Sequence, residues 1–274
     1  MLHYLRRILI LVVMVFIVVT AARVADTRGK GRKFIPPEEY GTIIMNRVSE
    51  KNKVPPVIFR HWVHRAKHSC RLCHVDIGFA MEKGVTRMTE RDNQRGRYCG
   101  VCHNGKEAFG PKDRPPKKYQ KAITSKWKKG KSCSLCHTRK ASEWMTDKFY
   151  EMKAKLPRGR FGNKIDWEKA EKLGKVKPKD FIKGVSFPKR KMKIEKSNVD
   201  LKAKIKGLPN IIFSHEKHAA WTGCEMCHPD PWTVKKKGTK FSMEEVFQGQ
   251  YCGLCHGVAA FPLTDCGRCH TKPM

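Results

Sequence analysis

Cys70-Arg71-Leu72-Cys73-His74 is the stretch on which the reading of this chain turns, because its Cys-x-x-Cys-His spacing returns five more times. The other copies are Cys99–His103, Cys133–His137, Cys224–His228, Cys252–His256 and Cys266–His270. Together they take up all 12 cysteines and half of the 12 histidines among 274 residues. Two cysteines at this spacing add covalently across the vinyl groups of a haem, and the adjacent histidine ligates its iron from one side. The attachment residues are therefore Cys70, Cys73, Cys99, Cys102, Cys133, Cys136, Cys224, Cys227, Cys252, Cys255, Cys266 and Cys269. The proximal ligands are His74, His103, His137, His228, His256 and His270, and the expected cofactors are six covalently bound c-type haems. Disulfides or zinc clusters would use paired cysteines too, but neither explains a histidine after every second one.

Working outward from the motifs, the chain repeats itself. Phe59-Arg60-His61-Trp62-Val63-His64 leads into Cys70 as Phe213-Ser214-His215-Glu216-Lys217-His218 leads into Cys224, with the same spacing. Tyr98-Cys99-Gly100-Val101-Cys102-His103 matches Tyr251-Cys252-Gly253-Leu254-Cys255-His256, and Ala108-Phe109 matches Ala260-Phe261. An internal repeat of this kind outranks local secondary-structure signals, and it gives two trihaem modules, residues 59–137 and 209–274. Module 1 carries a basic insertion over 105–132, which reads as a surface loop. Between the modules, Thr138 to Leu208 holds 22 Lys and Arg against 9 Asp and Glu. Within it, Ile165 to Gly174 reads as a short helix with Trp167, Ala170 and Leu173 on one side, in an otherwise mostly irregular linker. Modules this small need covalent staples, so the expected fold is mostly coil with short α-helices and few β-strands, wrapped around the haems.

The motifs fix only one side of each iron. Outside them stand His61, His64, His68, His215 and His218, besides His3 near the amino terminus. Two histidines three apart on a helical turn project from one side at different heights, so each pair, His61 with His64 and His215 with His218, serves two irons. His68 has no counterpart, since Thr222 takes its place; it reads as solvent-facing or supporting, with ligation as the alternative. One haem per module is left without a histidine, and methionine is the candidate ligand: Met243, in a first helical turn framed by Ser242 and Glu245, and Met88, with which Met81 competes. Packing is the competing role for these methionines.

The amino terminus has a targeting layout, with Arg6 and Arg7 before an apolar run from Ile8 to Val19. Residues 1–25 are either a cleaved signal peptide or a membrane anchor, followed by a basic segment over 26–58. Both place the haem-bearing part in the periplasm, soluble or tethered to the outer side of the cytoplasmic membrane. Formal charge is +33, which twelve haem propionates would reduce to about +21. The expected partners are redox proteins with acidic docking faces and anionic membrane surfaces. Export argues against nucleic acid as the partner of this basic chain.

These motifs resemble the class III cytochromes c, the c3 and c7 group, and among them the tandem trihaem repeats called nanowire cytochromes. The resemblance covers Phe59–His137 and Phe213–His270 and rests on Phe-x-His-x-x-His before the first haem and Tyr-Cys-Gly-x-Cys-His at the second. It implies that His61 pairs with His74, His64 with His103 and Met88 with His137, and in module 2 His215 with His228, His218 with His256 and Met243 with His270. It also implies an electron carrier in an anaerobic or extracellular respiratory chain, served by other cytochromes or a quinol-oxidising membrane complex. Two further readings stay open: a reductase of a small oxyanion or metal ion at a weakly ligated haem, and a subunit of a polymeric cytochrome wire.

Overall fold

A computed structural model describes residues 34–110, 113, 117–118, 135–137, 141–188, 198–235 and 237–272. The targeting segment, most of the module 1 insertion, Cys133 and the basic run Lys189–Lys193 lie outside the described residues. All contacts below belong to the unit that begins at Pro37.

The repeat is built on two β-hairpins. Strand β1 (Thr42–Met45) leads through helix α1 (Arg47–Lys51) to strand β2 (Val57–Arg60), which pairs with it antiparallel, Thr42 opposite Arg60 and Met45 opposite Val57. Helix α2 (His61–Arg65) follows without a break. The turn Leu72–Asp76 then carries the first motif, and helix α3 (Glu90–Gln94) precedes the second. The β-branched and aromatic run Val57-Ile58-Phe59 favours the pleated conformation.

Module 2 repeats the plan. Strand β3 (Asn198–Leu201) pairs antiparallel with β4 (Asn210–Ser214), Asn198 opposite Ser214. The histidine helix, numbered α6 (His215–Thr222) in chain order, starts at the residue after β4. Helices α7 (Met243–Phe247), α8 (Gly253–His256) and α9 (Cys266–Cys269) carry or precede the last two motifs. Strand β5 (His270–Lys272) closes the sheet against β4. The result is mostly coil, with short helices and two small sheets among the described residues. No described helix is long and apolar enough to cross a membrane.

The linker is more ordered than its composition suggests. It forms helix α4 (Ala141–Ala154) and helix α5 (Trp167–Lys172), the latter capped by the Asp166 side chain, which accepts from Lys169 N at 3.1 Å. Trp62 of α2 packs with Phe149, Ile165, Trp167, Ala170 and Val176 into one apolar cluster, so the linker supplies five of the six buried members. Trp167 and Ala170 face inward as their spacing predicts. Leu173 does not: α5 stops at Lys172, and Leu173 is 56% exposed. The linker also grips module 2, where Glu168 accepts from Lys217 Nζ at 2.7 Å and Glu171 from Trp221 Nε1 at 2.7 Å.

Two outcomes follow from this packing. Phe149 is fully buried, and Phe149→Ala is expected to cost about 3 kcal/mol in chemical denaturation, with haem content unchanged. Hydrogen bonds from Lys217 and then Lys172 hold the Glu168 carboxyl down to about 2, so its contribution to stability is present above the ordinary carboxylate range and is lost as pH falls from there through about 2. The urea midpoint of Glu168→Gln should therefore change less across that acid range than the wild-type midpoint does.

Candidate haem-binding sites

Both histidine pairs sit where a hairpin strand turns into a helix. In module 1, Phe59 at the end of β2 stacks on His64 (ring centres 4.4 Å apart, 23° between planes) and meets His61 edge-on at 4.9 Å. In module 2, Phe213 stacks on His218 at 4.2 Å and 27° and meets His215 edge-on at 4.9 Å. One phenyl ring thus lies against one imidazole face to face and meets the other edge-on, twice over.

Backbone oxygens fix the imidazoles from the other end. The six motif histidines each place Nδ1 against a carbonyl: His74 on Phe79 (2.9 Å), His103 on Phe109 (3.0 Å), His137 on Pro55 (2.8 Å), His228 on Trp232 (2.7 Å), His256 on Phe261 (3.1 Å) and His270 on Pro209 (2.7 Å). Outside the motifs, His61 does the same with Gly41 (2.7 Å), His64 with Arg60 (3.1 Å) and His218 with Ser214 (2.8 Å). Since a carbonyl only accepts, Nδ1 carries the proton and Nε2 is left with a lone pair, the tautomer a metal requires. His215 is the exception. Its Nδ1 is buried with no partner, and Ser197, at the place corresponding to Gly41, lies outside the described residues.

The rings also meet at the right separation. His64 and His103 have centres 6.2 Å apart, and so do His218 and His256. Two imidazoles on opposite sides of one metal, each bonded at about 2 Å, place their centres about 6 Å apart. Burial holds both sets in the neutral, ligating form: His64 and His256 are pushed down to about 4, and His61, His74, His103 and His218 are lowered for the same first reason. His61 lies close enough to His74 for the charge of His74 to bear on it.

Around the second motif of each module the sequence Tyr-Cys-Gly has a steric origin. Tyr98 and Tyr251 take positive φ, 47° and 50°. Gly100 and Gly253 lie directly on the carbonyls of Asn93 in α3 and Val246 in α7, where a Cβ would collide with the oxygen. The short helix before the motif is thereby locked to it. Each helix begins with a reciprocal cap, Thr89 with Asp92 and Ser242 with Glu245.

Those caps show that Met88 and Met243 are not equivalent. Met243 is the first residue of α7, after the Ser242 cap, while Met88 lies one residue before the Thr89 cap, with Glu90 in the place of Met243. Met88 instead corresponds to Phe241, which packs with Trp232 and Tyr251 at 4.9 and 5.6 Å. Its Sδ lies 3.9 Å from Cys99 Sγ. His68 sits beside Lys179, bridged to it through the backbone, with a buried Nδ1 that has no partner. Sequence reasoning missed the nine carbonyl anchors, because a backbone oxygen has no residue signature.

The thiols complete the donor set. No disulfide links the described cysteines, and burial pushes Cys73 and Cys255 up to about 12 and Cys99 and Cys252 to about 11. Such thiols are poor redox dithiols or thiolate ligands. Neutral thiols three residues apart, a following imidazole with Nε2 free, and a second imidazole opposite it fit a covalently tethered haem.

The class so defined is that of multihaem c-type cytochromes, electron-transport proteins that bind haem c. A family profile described as "Cytochrome c7 and related cytochrome c" matches residues 57–138 and 211–271, more than half of the chain, and the chain belongs to that family. Among solved structures, a c7-type three-haem cytochrome domain is 36% identical, with 32% of this chain and 99% of that one covered and a TM-score of 0.25. The C-terminal hexahaem fragment of GSU1996 is 21% identical, covering 86% of this chain and 99% of its own, at a TM-score of 0.25. The N-terminal hexahaem fragment is 22% identical, covering 84% and 98%, at 0.24. A comparison with curated proteins gives no match.

The contact of Gly253 with the Val246 carbonyl makes a specific demand on the site. Gly253→Ala should destabilise the holoprotein by about 1–3 kcal/mol, read as an earlier shift of the low-spin haem bands on titration with denaturant, whereas Gly267→Ala, with nothing near its Cβ, should have little effect.

Proposed function

We propose that this chain binds six c-type haems and relays electrons between redox partners outside the cytoplasmic membrane, as part of an anaerobic or extracellular respiratory chain. The observation that supports this most is the pair of imidazoles 6.2 Å apart in each module, His64 with His103 and His218 with His256. An iron held between two imidazoles has no open position for substrate and changes oxidation state with little rearrangement. In the same reading His61 serves the haem of His74, His215 that of His228, Met243 that of His270 and Met88 that of His137. The protein's own part is to orient nine of these imidazoles through backbone carbonyls and to cover His64, His103, His218 and His256 with Phe59, Phe109, Phe213 and Phe261. The surplus of basic residues steers the molecule to acidic faces of partner cytochromes or a quinol-oxidising complex, and to anionic lipid.

A second reading draws on the displacement of Met88. With Glu90 where module 2 has Met243, the haem of His137 has the least defined sixth ligand and is the place where a small oxyanion or metal ion would be reduced.

One experiment separates them. Intact mass should first give six haems per chain. The visible spectrum of the fully reduced protein is then expected not to change on adding carbon monoxide, while His64→Ala and His218→Ala should each open one haem to it. Carbon monoxide binding by a single haem of the unmodified protein would favour catalysis at His137, and unchanged spectra in both variants would overturn the imidazole pairing.

A further inference from the structure

Arg65, the last residue of α2, lies at the junction of the two repeats. Its guanidinium stands 5.0 Å from the ring centre of Trp167 and 5.1 Å from that of Trp221. Nη1 donates to Ala259 O at 2.8 Å, three residues beyond His256. Nε, however, is buried and meets no acceptor. Glu171, a carboxylate that bears on this charge, accepts from the Trp221 indole instead. A buried cationic donor left unsatisfied is costly, and the usual remedy is an anion.

What surrounds Arg65 says which anion. Tyr40 donates to Ala260 O at 2.7 Å, and Gly41, whose carbonyl holds His61, presses against Val258 O so closely that a Cβ would come within 2.9 Å. The segment that orients the distal His61 of module 1 is thus laid on the segment that follows the proximal His256 of module 2. Arg65 itself directly follows His64, and the carbonyl it donates to lies three residues beyond His256. Two haem attachment sites from different repeats therefore flank one guanidinium, and every haem brings carboxylate side chains.

We propose that Arg65 Nε holds a haem propionate, from the haem of Cys70–His74 or that of Cys252–His256, and that electrons cross between the repeats at this pair rather than between the third and fourth motifs in sequence. The inference rests on the haem reading above. Arg65 is a positioning residue here: its positive charge favours the reduced iron beside it and raises the potential at the crossing.

The direct test uses the unmodified, fully reduced, diamagnetic protein with six haems verified by mass. Proton NMR is expected to give nuclear Overhauser contacts from the Arg65 side chain to propionate methylene protons, and their assignment to the haem of His74 or of His256 identifies the source. No such contact in a protein carrying all six haems overturns the proposal, whereas a haem count below six strikes at the underlying reading instead. In a redox titration with individual haems resolved, Arg65→Met should lower the potential of the haem at His74, at His256 or at both, and Arg65→Lys should restore it. Equal losses in Met and Lys variants, or a shift spread over all six haems, would make Arg65 a packing residue only.

Discussion

A histidine that is to bind a metal must present one particular nitrogen in one particular direction, and a hydrogen bond from Nδ1 to a backbone carbonyl sets both. Nine imidazoles are held this way among the described residues, six in motifs and three outside them. The acceptors explain much of the architecture. Pro55 and Pro209 stand just ahead of β2 and β4, so the third motif of each module is tied back to the hairpin that begins it. His61 depends on Gly41, which is why a strand from the basic amino-terminal segment has to run beside β2. The small sheets serve mainly to deliver carbonyl oxygens to imidazoles.

The linker solves a different problem. The two repeats bury few side chains of their own among the described residues, and the cluster around Trp62, Phe149 and Trp167 is drawn largely from the residues between them. That cluster sits behind α2, the helix carrying His61 and His64, and the same segment reaches module 2 through Glu168 and Glu171. A stretch dominated by lysine therefore acts as a brace, its apolar residues turned in and its amines left in water.

Much of this was legible from sequence, and the reasons differ by element. The Cys-x-x-Cys-His motifs and the internal repeat are matters of residue identity and spacing, so both could be read directly. The Ser242 cap could be read too, because capping depends on side-chain oxygens. Helix α4 was missed because its surface is crowded with charges that hide an amphipathic pattern, and Leu173 was placed inside because a helix boundary is harder to read than a helix. The difference between Met88 and Met243 could not be judged by counting from the cysteines. It emerges when Thr89 is matched to Ser242, since a cap marks where a helix begins whatever the length of the loop before it.

The carbonyl anchors bear on how such a chain can change over time. Phe79 and Trp232 hold their histidines at equivalent places with different side chains, because only the main-chain oxygen takes part. Residues that orient these histidines are free to drift in identity so long as the local backbone path is kept. Two duplicated units can then diverge widely in sequence while their ligand geometry stays the same, and amino-acid identity between such proteins understates how much of the working machinery they share.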